Sequence, residues 1–519
     1  MFSEMLEISN KEGTSFATAS NVYKIYDRDH DSDIFEEVID GLILEKYADQ
    51  HLKEYIKNLP SNKKRVAALL SIGDDNVLWS KINEIISEEK SGYQRLKEVY
   101  FLLRDYVKIA DVERKKHGEI LTQFKELAEP MIKLVERYDV EFWKNKNHKV
   151  LDSSAGYGTF LILAAYKFMV GLKEEFPDEE ERFKWIVENC LYYGELQARS
   201  VFSWLVAIDP YDEYKTNTYW GSFLTEDFDK HMKEVWGVEK FDLIIQNPPY
   251  QMRKEGYKKT QPLWHLFVQK SLTLLKEGGY MVMVHPGSWR DIDGSFKDIQ
   301  NLLKSRQMLY LEIHSRSDGF ETFGVGTRYE FYILKNEKNE GIQTTIKGQN
   351  GETIKINISS LEFIPNGMFE EIFNCIAQKN EEKVNVLHSY SAYEIRKNYM
   401  SKEKSTDFKY PCVYTVSKNG NINLYWSLSN NRGHFGIPKM IWSNGESMYA
   451  GSFVDILGDY GLTQFSYAII DDKNNLENIK IAFDSDMFRN MMRNCEVSTN
   501  SINKKIVSSL KKDFWKEFL

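Results

Sequence analysis

The sequence predicts an α/β protein built around a Rossmann-like parallel sheet, with a helical region before it and a mixed α+β region after it. From about 111 to 338, short apolar runs alternate with helical stretches, which predicts parallel strands covered by helices on both faces. Before that segment, apolar residues recur at three- and four-residue steps, as in helices. After it, this periodicity weakens and aromatic, Asn- and Gly-rich stretches follow.

The composition is that of a folded protein with several domains. A length of 519 residues predicts about two to four domains, and 42% hydrophobic with 28% charged residues excludes a disordered or collagen-like chain. No apolar run approaches the roughly 18 residues of a membrane helix, and the N-terminus does not resemble a signal peptide. The four cysteines lie far apart without a CxxC pair. We therefore expect a cytoplasmic protein with no membrane segment, disulfide framework or metal site.

The predicted elements follow one another along the chain. Helices are expected in the N-terminal region at 34–47 and 82–104, where we expect a scaffold or partner surface. The predicted strands of the central segment cover 149–152, 191–196, 241–246 and 280–285, and its helices begin near 160 and cover 263–275. Beyond 338, a hairpin is expected at 342–358 around Asn350-Gly351, and a basic helix at 506–518.

The sharpest motif is Asn247-Pro248-Pro249-Tyr250, which directly follows the predicted strand 241–246. Two consecutive prolines fix two φ angles and keep the residues before them out of the helical region. The Asn247 side-chain oxygen and the Pro248 carbonyl can then accept hydrogen bonds from an amino group, while Tyr250 can stack on a planar ring. This arrangement suits an exocyclic amine that acts as a nucleophile, although it also fits an ordinary Pro-Pro turn that ends a strand.

A second candidate site is the glycine-rich turn at 152–160, between the first predicted strand and its helix. Gly156 and Gly158 would let the backbone approach a ligand closely at the carboxyl end of the strand. No lysine stands where a phosphate loop needs one, which argues against a triphosphate.

The next two strand ends add further candidates. Glu195 ends the second strand, where an acid can bind both hydroxyls of a ribose, although it also fits a surface glutamate. The third strand is expected to end near 220–224, where an adenine ring could lie. Ser222 and Asp227 are both candidates there, and spacing does not choose between them.

Taken in order, these motifs resemble the gamma class of N6-adenine DNA methyltransferases of restriction–modification systems, which use S-adenosylmethionine. The tetrad Asn247–Tyr250 is the family's D/N-P-P-Y/F/W motif unchanged, and 152–160 resembles its D-P-x-x-G-x-G-x-F segment. Other segments resemble the family's GE-x-F/Y-TP motif, the helix and strand after the tetrad, and a hairpin that helps hold the target base; they are 117–123, 262–267, 275–280, 286–289 and 323–327. The resemblance covers roughly 111–335.

The resemblance implies transfer of a methyl group from S-adenosylmethionine to the N6 amine of an adenine that swings out of the DNA duplex, without a metal. It assigns catalysis to Asn247, Pro248, Pro249 and Tyr250. It assigns cofactor binding to Thr122, Asp152, Ala155, Gly156, Gly158, Glu195, Ser222 and Asn247. Three departures bear on cofactor affinity: Ser153 and Gln123 stand where the family has proline, and Ser222 where it often has Asp or Asn.

The domains expected on this basis are a helical region at 1–110, a catalytic methyltransferase domain at 111–338 and a DNA target-recognition domain at 339–519. Since the net charge is −9, double-stranded DNA would have to bind at local basic patches. The expected DNA contacts are Arg253, Lys254, Lys258 and Lys259 after the tetrad, and Arg432 in the C-terminal region. A solvated surface loop is the alternative for the segment after the tetrad.

Several alternatives stay open at the level of sequence. The same tetrad occurs in methyltransferases that act on protein glutamine, and similar ones occur in RNA enzymes. Cytosine N4 is a chemically similar amine. A non-catalytic DNA-binding or specificity subunit with a decayed cofactor site is a further alternative. A cognate restriction endonuclease as partner is also left open.

Overall fold

The structure is a computed structural model that describes residues 90–106, 122–196, 198–209, 213–252, 260–292, 294–443, 451–497 and 502–519. The helix expected at 34–47 lies outside the described residues. The chain forms two compact units, whose described residues lie within 90–286, 302–311 and 315–342 for the first and within 287–301, 312–314 and 343–519 for the second.

Among the described residues, the helices of eight or more residues, in chain order, are α1 Gly92–Tyr106, α2 Glu129–Tyr138, α3 Thr159–Gly171, α4 Glu179–Asn189, α5 Ala198–Ile208, α6 Glu226–Glu234, α7 Trp264–Leu274, α8 Lys297–Lys304, α9 Arg316–Phe323, α10 Leu476–Asp484 and α11 Asp486–Cys495. The described strands up to residue 338 are β1 Val150–Asp152, β2 Leu191–Glu195, β3 Asn217–Trp220, β4 Phe241–Gln246, β5 Gln251–Met252, β6 Gln261–Pro262, β7 Leu275–His285, β8 Arg306–His314 and β9 Tyr329–Lys338. The later strands are β10 Thr344–Lys347, β11 Thr353–Ile356, β12 Asn385–Leu387, β13 Met400–Ser401, β14 Tyr410–Val416, β15 Ile422–Ser427, β16 Lys439–Ser443, β17 Ser452–Asp455, β18 Gly461–Leu462 and β19 Ser466–Ile470.

The first unit is organised around seven neighbouring strands of a mixed sheet, in the order β8–β9–β7–β4–β1–β2–β3. The neighbours β7, β4, β1, β2 and β3 are parallel, with Val150 opposite Leu191 on one side and Leu243 on the other. The sequence predicts a parallel sheet, whereas β9 runs antiparallel to β7. Strands covered on both faces are mostly apolar, and β4 reads Phe-Asp-Leu-Ile-Ile-Gln, with four apolar residues and five buried ones.

The parallel arrangement brings the carboxyl ends of β1, β2, β3 and β4 to one edge of the sheet. Helix α3 begins there, directly after its N-cap Gly158, whose φ of 81° is left-handed. Helix α4, which returns the chain to β2, has Asp178 as its N-cap, and the Asp178 carboxylate accepts from the Glu181 backbone N–H at 2.8 Å. The elements that follow the glycine-rich turn are therefore set by local signals as well as by burial.

The segment 323–327, expected as a hairpin, forms the end of a helix and a loop. Phe323 is the last residue of α9, and Gly324 caps this helix with a left-handed φ of 71°. Helix α9 begins with a capping box between Ser315 and Asp318, so the helix is defined at both ends.

The second unit contains two four-stranded sheets. One has the order β12–β19–β16–β17 and is antiparallel throughout, while in the other, β13–β15–β14–β18, only β18 runs parallel to its neighbour. The hairpin expected around Asn350-Gly351 is present as β10 and β11, with Gly351 at a φ of 83°.

The basic helix expected at 506–518 is wrong in extent. A helix covers Lys504–Ser509, and a separate 3-10 helix covers Phe514–Phe518. Between them, Leu510 accepts from the Val384 N–H at 3.0 Å, and the Lys511 N–H donates to the Cys375 carbonyl at 2.9 Å. These tertiary backbone hydrogen bonds replace the helical ones.

Residues 287–301 belong to the second unit although they precede the domain limit expected at 338. Arg290 explains this placement, because its guanidinium is buried and donates to the Ile364 carbonyl at 2.7 Å and to Asn366 Oδ1 at 2.9 Å. In the part of the chain that the structure describes, no helix has the length and apolar character to cross a membrane.

Candidate functional site

A cavity of about 330 Å³ lies at the carboxyl ends of β1 to β4, which is the lower end of the range for ligand pockets, about 300–1,000 Å³. Its walls come from the residues that follow these four strands, from helix α7, and from Tyr100 and Thr122. Of the candidate residues, those that line the cavity are Thr122, Ala155, Gly156, Glu195, Ser222, Asn247, Pro248 and Pro249. Asp152, Gly158 and Tyr250 do not line it.

The glycine-rich turn is held from behind by aromatic side chains. Gly156 and Gly158 have left-handed φ angles of 55° and 81°. A Cβ atom on Gly158 would collide with the indole ring of Trp204. Trp204 stacks on Tyr193 with ring centroids 5.1 Å apart, and the Tyr193 hydroxyl donates to the Gly156 carbonyl at 2.5 Å. Gly158 is thus required by its conformation and by close packing, although it does not touch the cavity.

The two acids near the turn differ in their surroundings. Glu195 is half-buried, lines the cavity and accepts from the Gly156 backbone N–H at 2.8 Å. Asp152 is buried, and its carboxylate accepts from the Ser154 backbone N–H at 3.2 Å. Burial raises the pKa of Asp152 well above its usual range, the Ser154 hydrogen bond lowers it, and the charge of Glu195 raises it further.

The Asn-Pro-Pro turn lines the same cavity as the glycine-rich turn. Asn247 is buried, and its Nδ2 donates to Thr122 Oγ1 at 3.1 Å. Since Nδ2 is the donor of this amide, Oδ1 is its acceptor.

Tyr250 is buried beside this turn rather than exposed in the cavity. Its carbonyl accepts from the Leu263 N–H at 3.0 Å, whereas its hydroxyl has no hydrogen-bond partner among the described residues. Burial raises the pKa of this hydroxyl.

At the third strand end, Ser222 lines the cavity, whereas Asp227 is exposed on α6. Ser222 Oγ accepts from the Leu224 N–H at 3.3 Å. Beside it, the ring of Phe223 stacks on that of Phe267 with centroids 5.4 Å apart. Both rings line the cavity and give it an apolar wall.

Tyr100 and Phe267 line the cavity but were not among the predicted site residues. Tyr100 belongs to α1, in the region expected to be a scaffold, and its hydroxyl lies 2.5 Å from Thr159 Oγ1. Phe267 lies in α7, where an apolar residue reads as core. Periodicity shows that such residues are covered, but not whether protein or ligand covers them.

The remaining expected residues are either outside the described part of the chain or in the second unit. Residues 117–121 and the basic residues Arg253, Lys254, Lys258 and Lys259 are outside the described residues. Arg432 belongs to the second unit, where its guanidinium is exposed and lies 3.7 Å from the ring centroid of Tyr399. Its backbone N–H donates to the Tyr393 hydroxyl at 3.1 Å.

Comparison with known proteins finds similarity over parts of the chain. Residues 192–319 match the family described as Eco57I restriction-modification methylase. The chain is 37% identical over 76 residues to the Type II methyltransferase M.TthHB8I of Thermus thermophilus, a match that covers 11% of this chain and 18% of that protein. The matched region is thus less than a fifth of that relative.

Two more distant similarities are longer. An uncharacterized adenine-specific methylase of Mycoplasma pneumoniae is 22% identical over 317 residues, which cover 48% of this chain and 74% of that one. The DrdV–DNA complex solved by cryo-electron microscopy is 11% identical, with a TM-score of 0.45 and coverage of 97% of this chain and 69% of that chain.

Proposed function

We propose that the chain transfers a methyl group from S-adenosylmethionine to the N6 amine of adenine in a specific DNA sequence. The observation that carries the proposal is that Asn247 and Pro248 share one cavity with the glycine-rich turn and Glu195. An amine acceptor and a nucleoside-binding wall in one cavity suit a transfer between two bound molecules. The match of 192–319 to a restriction-modification methylase family supports the same reaction class.

The residues of the cavity fit the cofactor in chemical type. Glu195 is an acid at the end of the second strand, where it would hold the ribose hydroxyls. Phe223 and Phe267 offer an apolar wall for the adenine ring. Ser154 Oγ is buried at the cavity and has no hydrogen-bond partner among the described residues, so it is available to a polar ligand. The sulfonium cofactor, when bound, supplies an electrophilic methyl group.

The chain itself holds and orients the amine. Because Nδ2 of Asn247 is engaged with Thr122, Oδ1 would accept from the N6 amine, together with the Pro248 carbonyl. Two acceptors on one amine favour a tetrahedral nitrogen whose lone pair can attack. Tyr250 would stack on the adenine. Since its ring is buried in this structure, we expect its exposure to change when DNA binds.

Contact with DNA would come from cationic side chains of two segments. Arg253, Lys254, Lys258 and Lys259 follow the tetrad and would meet phosphates near the flipped base. Arg432, held over the Tyr399 ring, would present a fixed guanidinium to the DNA.

The proposal is tested by incubating the protein with methyl-labelled S-adenosylmethionine and unmethylated duplex DNA, followed by nucleoside mass spectrometry. We expect labelled N6-methyladenine, and sequencing of the modified sites would then identify the target. Labelled N4-methylcytosine, or label in RNA or protein but not in DNA, would replace the proposed substrate. A protein that does not bind S-adenosylmethionine in calorimetry would instead point to a non-catalytic DNA-binding subunit.

A further inference from the structure

The strand that carries Asn247 ends in a buried glutamine whose side chain joins two other walls of the cavity. Gln246 is the last residue of β4 and is fully buried. Its Oε1 accepts a hydrogen bond from Ser153 Oγ, and its Nε2 donates to Ser271 Oγ at 2.6 Å. Both hydroxyls are themselves buried.

Each partner belongs to a part of the site with a different task. Ser153 lies in the glycine-rich turn and lines the cavity. Ser271 lies in α7, the helix that also places Leu266 and Phe267 in the cavity wall. Gln246 directly precedes Asn247. Its side chain therefore connects the strand end that carries Asn247 with the glycine-rich turn and with helix α7.

The geometry makes this connection specific. A carboxamide has one acceptor end and one donor end, and here each end meets a hydroxyl on a different element. Buried polar groups that lose their partner are costly, so the three side chains hold one arrangement. Asn247 is then held in place in two ways: its own side chain is bonded to Thr122, and the residue before it, Gln246, is fixed by its two hydrogen bonds.

We propose that Gln246 is a positioning residue, whose buried amide sets the distance between the glycine-rich turn and the Asn-Pro-Pro turn. This inference rests on the proposed methyl transfer. The two bound molecules must meet with their reacting atoms aligned, and a misplacement of about 1 Å can slow a reaction roughly 100-fold. A loss of Gln246 would therefore disturb the transfer more than the binding of either molecule.

The test uses Gln246→Met in the full-length chain, since methionine keeps a similar length but lacks both hydrogen-bonding ends. We expect the single-turnover rate of methyl transfer at saturating substrates to fall about 10- to 100-fold. The affinity for S-adenosylhomocysteine, measured by calorimetry, should change less than about threefold, because the cavity walls remain.

Asn217→Leu is the matched control. Asn217 is also a buried amide, but it lies at the first residue of β3, at the opposite end of the strands, where it donates to the Glu188 and Leu191 carbonyls at 2.9 and 3.1 Å. The Asn217→Leu variant should have a lower thermal stability, as Gln246→Met should, but an unchanged single-turnover rate.

A double variant decides whether Ser153 acts through Gln246. Ser153→Ala combined with Gln246→Met should be no slower than Gln246→Met alone, because the bond is already lost. The positioning role would be overturned if the wild type transfers the methyl group and Gln246→Met transfers it equally fast. It would also be overturned if the effects of the two substitutions are fully additive in the double variant. In both cases the proposed function would stand. A wild-type chain that does not bind S-adenosylhomocysteine would overturn the proposed function and this inference together.

Discussion

Asn247 and Tyr250 belong to the same turn, yet the structure gives them different surroundings and therefore different expected roles. Asn247 lines the cavity with its amide oriented by Thr122, whereas Tyr250 is buried next to it. The first is expected to act through its oxygen and the second through its ring. Substitutions that remove the amide, the hydroxyl or the ring one at a time can test both assignments.

For Asn247→Ala, we expect methyl transfer to fall by at least about 100-fold, as when a preorganised hydrogen-bonding group is removed from an active site. Cofactor binding should survive, because Glu195, Gly156 and Phe223 are unchanged. Radiolabel transfer and calorimetry measure the two properties separately. Loss of cofactor binding together with transfer would contradict the role given to the amide.

At Tyr250, two substitutions should distinguish the contribution of the ring from that of the hydroxyl. Tyr250→Phe removes a buried hydroxyl that has no partner among the described residues, so activity and stability should be retained. Tyr250→Ala removes the stacking face, which is worth about 1–3 kcal/mol per base. Transfer rates and DNA affinity of the two variants give the comparison. A Phe variant as impaired as the Ala variant would assign the role to the hydroxyl instead.

Gly158 and Gly156 form a matched pair for backbone strain. Both have left-handed φ angles, but only at Gly158 would a Cβ atom meet a neighbour, the Trp204 ring. We expect Gly156→Ala to cost about 1–2 kcal/mol from conformation alone and Gly158→Ala clearly more. Urea unfolding measures both, and equal losses would mean that Trp204 can move aside.

At the scale of elements, the loop 431–436 between β15 and β16 is built on a buried ion pair. Lys439 donates to the His434 carbonyl at 2.9 Å and to Asp455 at 2.6 Å, so it ties the loop to β17. His434 has a left-handed φ of 77°, and its Nδ1 accepts from the Leu462 N–H at 3.2 Å. The loop that carries Arg432 is thus held in place by the hydrogen bonds of Lys439 and His434.

This loop should make the second unit sensitive to acid. Burial, with the charges of Lys439 and His388, lowers the pKa of His434 from 6.5 to about 4. Between those values the unfolded chain binds a proton that the folded chain does not, so stability is fully present above pH 6.5 and falls as the pH approaches 4. His434→Asn keeps a residue that tolerates this backbone and does not titrate.

Urea midpoints of the wild type and of His434→Asn, compared from pH 7 to pH 4, should therefore converge or cross as the pH falls. Midpoints that run parallel over the whole range would mean that His434 does not contribute.

The strands of the first unit were predictable because their apolar runs are short, continuous and bounded by turn residues. The predicted strand 241–246 is β4 residue for residue, and the predicted helix 263–275 is α7 within one residue at each end. The antiparallel direction of β9 and the break near Leu510 were not predictable, because long-range backbone hydrogen bonds decide them.

At the scale of the whole molecule, all four cysteines are free and buried. Burial raises the thiol pKa values of Cys190 and Cys412 to about 12, that of Cys375 to about 11, and that of Cys495 as well. Since the thiolate is the nucleophile that attacks a disulfide reagent, the folded protein should react with almost none of its thiols at pH 8 and with all four after unfolding. A disulfide-exchange assay in native and denaturing buffer measures this. Rapid reaction of one thiol in native buffer would show that its surroundings open.

The sequence by itself determined the α/β class of the central segment, the order of its main strands and the two turns that meet in the cavity. Those features depend on local patterns: apolar runs, glycines with left-handed angles and paired prolines. Only the tertiary structure decided that Tyr100 lines the cavity, that Asp152 and Gly158 do not, and that Gln246 connects its walls. These roles depend on contacts between residues far apart in the chain, and a side chain's own neighbours in sequence carry no information about them.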